Sequence, residues 1–541
     1  MNPCLYYKLL AFKPSIYPKA IIASRGDLPE MLINRLNNCR YIHFHLTVVS
    51  LSIARVCLLI PFLLIVCSLT QLAHAQVNAE INDTRIPSEQ MTGSQRTLLW
   101  FDDSGPQDFT LRMLALSQDL GFAPHTFDAM NNESVLSQSE SDERYCEIFI
   151  EMFNEISQHK GEDVRLTEEH LRKVSDAGQL AEMVDSIVPH HEQVKLLRTK
   201  IRQYQKLTAF IWPLFSNMSL SLGQRAPEVA KLRWMLTQLG DFPVKKSSGY
   251  RDAIFDVGLI NAIKHFQQRH GLSVTGKLNE KTLLALNVSP SERIEQMRLT
   301  IFSWFQLPSD LPWRYVWVNL ASFTLDVFEK DVSVLHMRVI VGKPLTPTPQ
   351  MFTQLTQFTI NPTWTPPVSI IFDELLPQNT IEPGYLASRG FELRKFVSGA
   401  TSVIDVGQLS GQQVISYLSR YKLVQEPGHY NALGKFRFSI PNTEAIYLHD
   451  TPVKSLFNGL DRALSHGCVR LENAPGLLQY LMADQVKHHT SAITASLDNQ
   501  RPRHFSLPEP LPVYLIYHTR WIDSNGVLQL RPDVYNLDKE M

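Results

Sequence analysis

Between Thr97 and about Leu222, apolar residues recur at helical spacing. Leu111, Leu114, Leu116 and Leu120 lie along one stretch ending at Gly121. Further turns are marked by Ile148, Met152, Phe153 and Ile156, and then between Leu171 and Leu197. This pattern predicts a helical scaffold over residues 97–225, without chemistry of its own. Over 226–288 the punctuation is denser. Pro227 opens a helix through Val229, Leu232, Met235, Leu236 and Leu239, and Gly240 stops it. A second helix runs from about Val257 through Ile260, Ile263 and Phe266 and ends before Gly271. A third, over 279–286, follows the turn at Thr275-Gly276. Three short helices in roughly sixty residues make a unit near the lower limit for independent folding. A helical connector over 289–314 leads onward.

Beyond Pro308 and Pro312 the period changes. Val316, Val318 and Leu320 alternate with other residues, as do Phe323, Leu325 and Val327. A polar turn at Glu329-Lys330-Asp331 leads to Val332, Val334 and the run 338–341, a strand meander. Segments 358–360 and 447–448 add strands. At the end, Val513 to Tyr517 is expected to pair with Val527 to Leu530 as a hairpin around Asn525-Gly526. Residues 315–541 are therefore expected to be mostly β, a sandwich or open barrel, and the fold class is multidomain α+β.

The front of the chain has another pattern. Arg35, Arg40 and Arg55 precede the apolar run VCLLIPFLLIVCSL at 56–69, and Ala73-His74-Ala75 stands before Gln76. A basic, then apolar, then small-x-small order is that of a signal peptide, here residues 1–75, with a start at Met31 leaving one of ordinary length. The alternative is an uncleaved membrane anchor, since 56–73 nearly reaches the roughly 18–20 residues of a span. Residues 76–96 read as a polar linker. Over 541 residues, 44% apolar and 19% charged composition points to several globular domains. A net charge of −1, with no long Lys/Arg run, gives no support to nucleic-acid binding. Export also changes how the cysteines read. Cys4, Cys39, Cys57 and Cys67 fall in the targeting segment, leaving Cys146 and Cys468, which in an oxidising compartment could form one disulfide.

Candidate chemistry concentrates in YLHDTPVKSLFNGLDRALSHGCVRLEN, residues 447–473. Gly467 gives the turn before Cys468 conformational freedom and lets a carbonyl approach closely. Amides near Gly467 and Cys468 could serve as donors to a developing oxyanion. A thiol attacks as thiolate and needs a basic or cationic neighbour. His449, at the end of the apolar strand 445–448, is the candidate base. Zinc ligation by His449, His466 and Cys468 lacks a fourth ligand and C-x-x-C spacing. A buried structural thiol fits poorly in a polar S-H-G-C-x-R turn. His466 is read as bracing the loop, and Glu472 is given no role.

Two resemblances sharpen this reading. AIKHFQQRHGLSVTGKLNEKTLLAL, residues 262–286, resembles the helical peptidoglycan-binding domain family, with Phe266, Gln267, Gly271, Leu272, Gly276 and Thr282 on its F-Q-x-x-x-G-L-x-x-x-G-x-x-x-x-x-T core. A spacer without ligand is the alternative. His449, followed after roughly fifteen residues by Ser465-His466-Gly467-Cys468-Val469-Arg470-Leu471, resembles the signature of the L,D-transpeptidase (YkuD) catalytic domain. VIVGKPLTPTP (339–349), NPTWTPP (361–367), NALGKFRF (431–438) and EAIYLHDTP (444–452) resemble its large periplasmic, YcbB-like branch. That branch carries a helical scaffold and a peptidoglycan-binding domain ahead of the catalytic domain, which here spans 315–541.

The resemblance implies that Cys468 forms the acyl-enzyme and that His449 gives and takes the proton, oriented by the main-chain carbonyl of Asp450. Ser465, His466 and Gly467 would support the turn. Arg470 would brace the loop or meet a substrate carboxylate. A capping insertion is expected at about 368–429, with Gly384-Tyr385 and Tyr430-Asn431 touching substrate. The implied reaction is acyl transfer from a tetrapeptide stem to an acceptor amine, giving a 3→3 peptidoglycan cross-link in the periplasm without metal or organic cofactor. Such an activity belongs to cell-wall biogenesis and cell shape, and its partners are peptidoglycan stem peptides and other wall-synthesis enzymes. A same-fold enzyme with another acceptor, or a non-catalytic wall-binding protein, are the alternatives.

Overall fold

The computed structural model describes residues 97–123, 137–216, 218–243, 253–397, 400–484, 490–499 and 501–539. The signal or anchor expected at 1–75 and the linker at 76–96 lie outside the described residues. Ser137 and Glu140 cap each other's amides at the start of helix Gln138–Lys160, so that helix begins on a reciprocal capping box. Its Phe149 and Met152, with Met113 and Leu116 of helix Asp108–Leu120, pack around the fully buried Trp100. Leu111, one of the expected core leucines, is instead 43% exposed, because the helical period hands the buried position to Met113. Helix Pro290–Phe305 starts on a second capping box, from Ser289 and Glu292. It is more than a connector, since its Ile294, Met297 and Ile301 belong to the same core as Trp100.

Helices Pro227–Gln238, Val257–Arg269 and Glu280–Asn287 form a separate core around Leu232, Leu236, Ile263, Phe266 and Leu286. The buried Gln267 explains much of the motif read there. Its carbonyl oxygen accepts from the amides of Thr275 and Gly276, both at 2.8 Å. Its amide nitrogen donates to Lys277 O at 2.8 Å and to Thr282 Oγ1 at 3.0 Å. One side chain thus closes the turn between two helices. Gln267→Ala is expected to lower the stability of this unit by about 3 kcal/mol, since buried amides lose their acceptor. Chemical denaturation monitored by Trp fluorescence checks this, and a loss below about 1 kcal/mol would contradict it. Inside the unit, buried Asp241 grips Arg269 at 2.7 and 2.6 Å; toward its neighbours, Arg531 Nη1 donates to the Arg269 carbonyl at 3.0 Å.

The main sheet of the described β region has nine strands. In chain order these are β1 (Arg314–Asn319), β2 (Thr324–Glu329), β3 (Val332–Gly342), β4 (Met351–Ile360) and β5 (Phe436–Ser439). The remainder are β6 (Tyr447–His449), β7 (Ala463–Ser465), β8 (Val469–Leu471) and β9 (Arg503–Ile516). They lie in the order β7-β3-β8-β6-β5-β4-β9-β1-β2, and β2 also pairs with β3, so the sheet closes on itself. Lys330 and Asp331 turn β2 into β3 with φ of 47° and 65°, the left-handed pair a tight hairpin needs. Alternation then sorts the faces. Val316, Val318, Leu325, Val327, Phe358, Leu448 and Val469 fill the interior. Tyr315 and Trp317 face the other way onto helix Pro290–Phe305, where Trp304 stacks on Trp317 at 5.4 Å.

The C-terminal hairpin differs from expectation. Val513 to Ile516 belong to β9, between β4 and β1, and Leu528–Leu530 pairs with Arg520–Ile522. Asp523 is the reason: its carboxylate accepts from Asn525 and Val527 amides at 2.9 and 3.0 Å, closing a turn too tight to reach back to 517. The insertion between β4 and β5 has its own small core, around Ile371, Leu375, Leu386, Leu393, Val414 and Leu423. A short helical segment, 368–381, passes through a π turn at Ile371–Leu375. Strands Phe391–Val397, Ala400–Asp405 and Lys422–Gln425 form a sheet beside it. Paired backbone bonds between Trp364 and Gln425, at 3.0 and 2.7 Å, fasten this cap to the barrel.

Candidate active site

The turn bearing Cys468 joins β7 to β8, both laid against β3. Gly467 has φ +114°, a conformation side chains resist, and a Cβ there would come within 3.0 Å of Ile446. The segment after β3 braces the turn. Lys343 N donates to Ser465 O at 2.9 Å, and Thr348 Oγ donates to Gly467 O at 2.6 Å while accepting from Gly342 N at 2.9 Å. Ser465 Oγ accepts from Gly467 N at 3.1 Å and donates to Cys468 O at 2.6 Å. That bond corrects one expectation: the Gly467 amide is occupied by Ser465 and is not a donor for an oxyanion.

β6 runs parallel to β8 with Leu448 opposite Val469 and His449 opposite Arg470. Because successive side chains alternate faces, Leu448 and Val469 enter the core, while Tyr447, His449, Cys468 and Arg470 share the opposite face. On the other side of β6, β5 places Arg437 opposite His449. The site is therefore assembled across three adjacent strands.

His449 is buried, and its Nδ1 donates to the carbonyl of Asp450 at 2.5 Å, which leaves Nε2 with the lone pair. Asp450 is itself held: its carboxylate accepts from Lys435 N at 2.9 Å and Lys454 Nζ at 2.7 Å. Gly434, at φ +59°, makes room, since a Cβ would fall 2.4 Å from that carboxylate. The Gly434-Lys435 pair of the NALGKF segment thus fixes the residue that orients the histidine. Burial, then the charge of Arg470, depress His449 to about 3. Burial also pushes the Cys468 thiol up, against the opposing pull of the Tyr447 amide and hydroxyl and of Arg470 and Arg437. Both shifts favour a neutral thiol beside a neutral imidazole at rest.

Tyr447, assigned no role by the sequence reading, shares this face with Cys468, and burial and then the neighbouring thiol push its hydroxyl up. Arg437 lies over the Tyr447 ring at 5.6 Å. Among the described residues no acceptor meets the buried Nε of Arg437 or of Arg470. His466 does brace the turn, with Nε2 3.0 Å from Glu374 of the cap and 3.1 Å from Lys343 Nζ. Tyr430 is half-exposed on the cap under Arg389, 4.3 Å from its ring, and Tyr385 lies beneath the same guanidinium at 5.4 Å. Asn431 is a correction. It is buried, with its amide nitrogen donating to Pro362 O and Glu426 O at 3.0 and 2.9 Å and its oxygen accepting from Leu433 N at 2.8 Å. With its polar atoms so engaged, it staples the cap to β5 and is not a substrate contact.

Cys146 does not pair with Cys468: both are free, and Cys146 is buried, accepting from Trp100 Nε1 at 3.2 Å. Burial raises its thiol to about 11. Among the described residues, no three His, Cys, Asp or Glu side chains gather as a metal site would require.

Comparison with known proteins places this geometry. Residues 314–487 match the family model for the YkuD L,D-transpeptidase catalytic domain, and residues 225–286 match one described as "Putative peptidoglycan binding domain". A curated Haemophilus influenzae protein named "Putative L,D-transpeptidase" is 31% identical over 226 residues, 42% of this chain and 45% of its own. The chain thus spans about half the length of that relative. Among solved structures, an L,D-transpeptidase from Stackebrandtia nassauensis is 14% identical, over 56% of this chain and 96% of its own, with a TM-score of 0.21. One from Xylanimonas cellulosilytica is 13% identical, over 56% and 100%, with a TM-score of 0.15.

Proposed function

We propose, on the premise that residues 314–487 are an L,D-transpeptidase catalytic domain and 225–286 a peptidoglycan-binding domain, that this chain is an exported, periplasmic enzyme forming 3→3 cross-links through a Cys468 thioester. The observation that supports it most is the parallel register of β6 and β8, in which His449 stands opposite Arg470, two residues from Cys468 and on the same face. Since both groups rest neutral, the proton leaves the thiol as the sulfur attacks. His449 Nε2 takes it, and the S–C bond forms to the carbonyl between the third and fourth residues of a donor tetrapeptide. D-Ala departs with the proton from His449. An amine of an acceptor stem then displaces the sulfur, giving the cross-link and restoring the thiol. The unmet Nε donors of Arg470 and Arg437 suit a substrate carboxylate, which guanidinium groups bind well.

The test is product analysis. Tetrapeptide muropeptides alone are expected to yield a 3→3 dimer and free D-Ala, with tripeptide as a minor product. Tripeptide without dimer would make the enzyme an L,D-carboxypeptidase. No change at all would leave a wall-binding protein.

A further inference from the structure

Two partners compete for one nitrogen on the catalytic turn. His466 Nε2 lies 3.0 Å from Glu374 Oε1 on the cap and 3.1 Å from Lys343 Nζ on the barrel. An imidazole nitrogen either carries a proton and donates, or presents a lone pair and accepts. It therefore serves Glu374 in one form and Lys343 in the other. When it accepts from Lys343, Glu374 is released without leaving the histidine unpaired. Glu374 stands on the π turn Ile371–Leu375, an irregularity found disproportionately at functional positions. Pro377, with no N–H to give, follows directly and explains why the helix departs from regularity there. The carboxylate is 52% exposed, and its charge opposes the lowering that burial imposes on Arg470. A releasable anion on the cap, held by a histidine two residues before the nucleophile, fits a cation that arrives after acylation.

We propose that Glu374 is the docking carboxylate for the acceptor amine, which reaches the site as an ammonium ion. The inference rests on the transpeptidase reading above. The ammonium takes Glu374 as His466 passes to Lys343. It loses one proton to solvent at the exposed carboxylate, and the neutral amine attacks the thioester carbonyl. The N–C bond forms, the C–S bond breaks, and a second N–H proton passes through His449 to the departing sulfur. Glu374 is a specificity-determining residue in this step, since it touches the acceptor and not the reacting carbonyl.

The experiment compares wild type with Glu374→Gln, using tetrapeptide as donor and measuring cross-linked dimer against hydrolysed tripeptide. Both products come from one acyl-enzyme, so their ratio is independent of how fast it forms. The ratio is expected to fall about tenfold in Glu374→Gln, the loss of one charged hydrogen bond, and Glu374→Asp should recover part of it. Hydroxylamine, uncharged at about pH 8, serves as a second acceptor, and its partition against water should not change. A fall for both acceptors alike would mean a looser cap and would overturn the proposal. So would an unchanged dimer ratio, which leaves the transpeptidase reading intact. Absence of any Cys468 adduct in wild type overturns both.

Discussion

Cys468→Ala is expected to lower cross-linking by at least about 10⁴-fold while leaving the fold in place, because the covalent route is lost altogether. The side chain is partly exposed, and its hydrogen bond is a long 3.8 Å contact to Ala445 O, so little packing is lost. Thermal unfolding within a few degrees of wild type would separate chemistry from structure. Cys468→Ser should be nearly as inactive. A serine hydroxyl is a far weaker nucleophile, and His449, held near 3 by burial and by Arg470, is too weak a base to ionise it. Turnover in either variant above about a hundredth of wild type would remove Cys468 from the mechanism.

The second large effect is at His449, and its signature is in the pH dependence. The folded imidazole is depressed below its ordinary value of 6.5, so its basic form persists as pH falls and is lost only near 3. Acylation by wild type should accordingly show no inflection between about pH 5 and 8. His449→Ala should lose about 10³-fold at pH 7, within the usual range for general-base catalysis. The variant must then rely on spontaneous ionisation of a thiol that burial has raised, so its rate should climb about tenfold per pH unit up to the thiol's titration. Single-turnover acylation followed by intact-protein mass against pH distinguishes the two profiles. A wild-type inflection near pH 6.5 would show that the histidine is charged at rest. The same burial carries a stability consequence of the same sign. His449 and His518, both near 3, stay neutral in the fold while the unfolded chain takes up protons below 6.5, so stability drains away as pH falls through that window.

Much of this site was legible in the sequence because its signal is local. Gly467 and the Gln267 motif are each set by turn chemistry within a few residues, while the His449 spacing to S-H-G-C was read from the family signature it resembles. Tyr447 and Arg437 were not legible as site members. Nothing in their local sequence shows that a parallel β6–β8 register and an antiparallel β5–β6 register bring them to the face of Cys468. Asn431 was misread for a related reason: polar residues at a loop end look exposed until the acceptors at Pro362 and Glu426 are known. The C-terminal hairpin failed because the short segment Arg520–Ile522, with its charged first residue, gives a weaker strand signal than 513–517, and only the Asp523 turn shows which of them 528–530 pairs with. The ionisation state of the pair lay furthest out of reach. It depends on how completely the cap and barrel exclude water, a property of packing and not of spacing.

The most direct measurement is the mass of the Cys468-containing peptide after brief exposure of the purified protein to a tetrapeptide muropeptide. The expected adduct equals the mass of the muropeptide less one D-Ala, since the thiol exchanges directly for the departing D-Ala; it is confined to Cys468 and released by an amine. An unmodified Cys468 peptide alongside dimer or tripeptide product, or an adduct carried by Cys146, would contradict it.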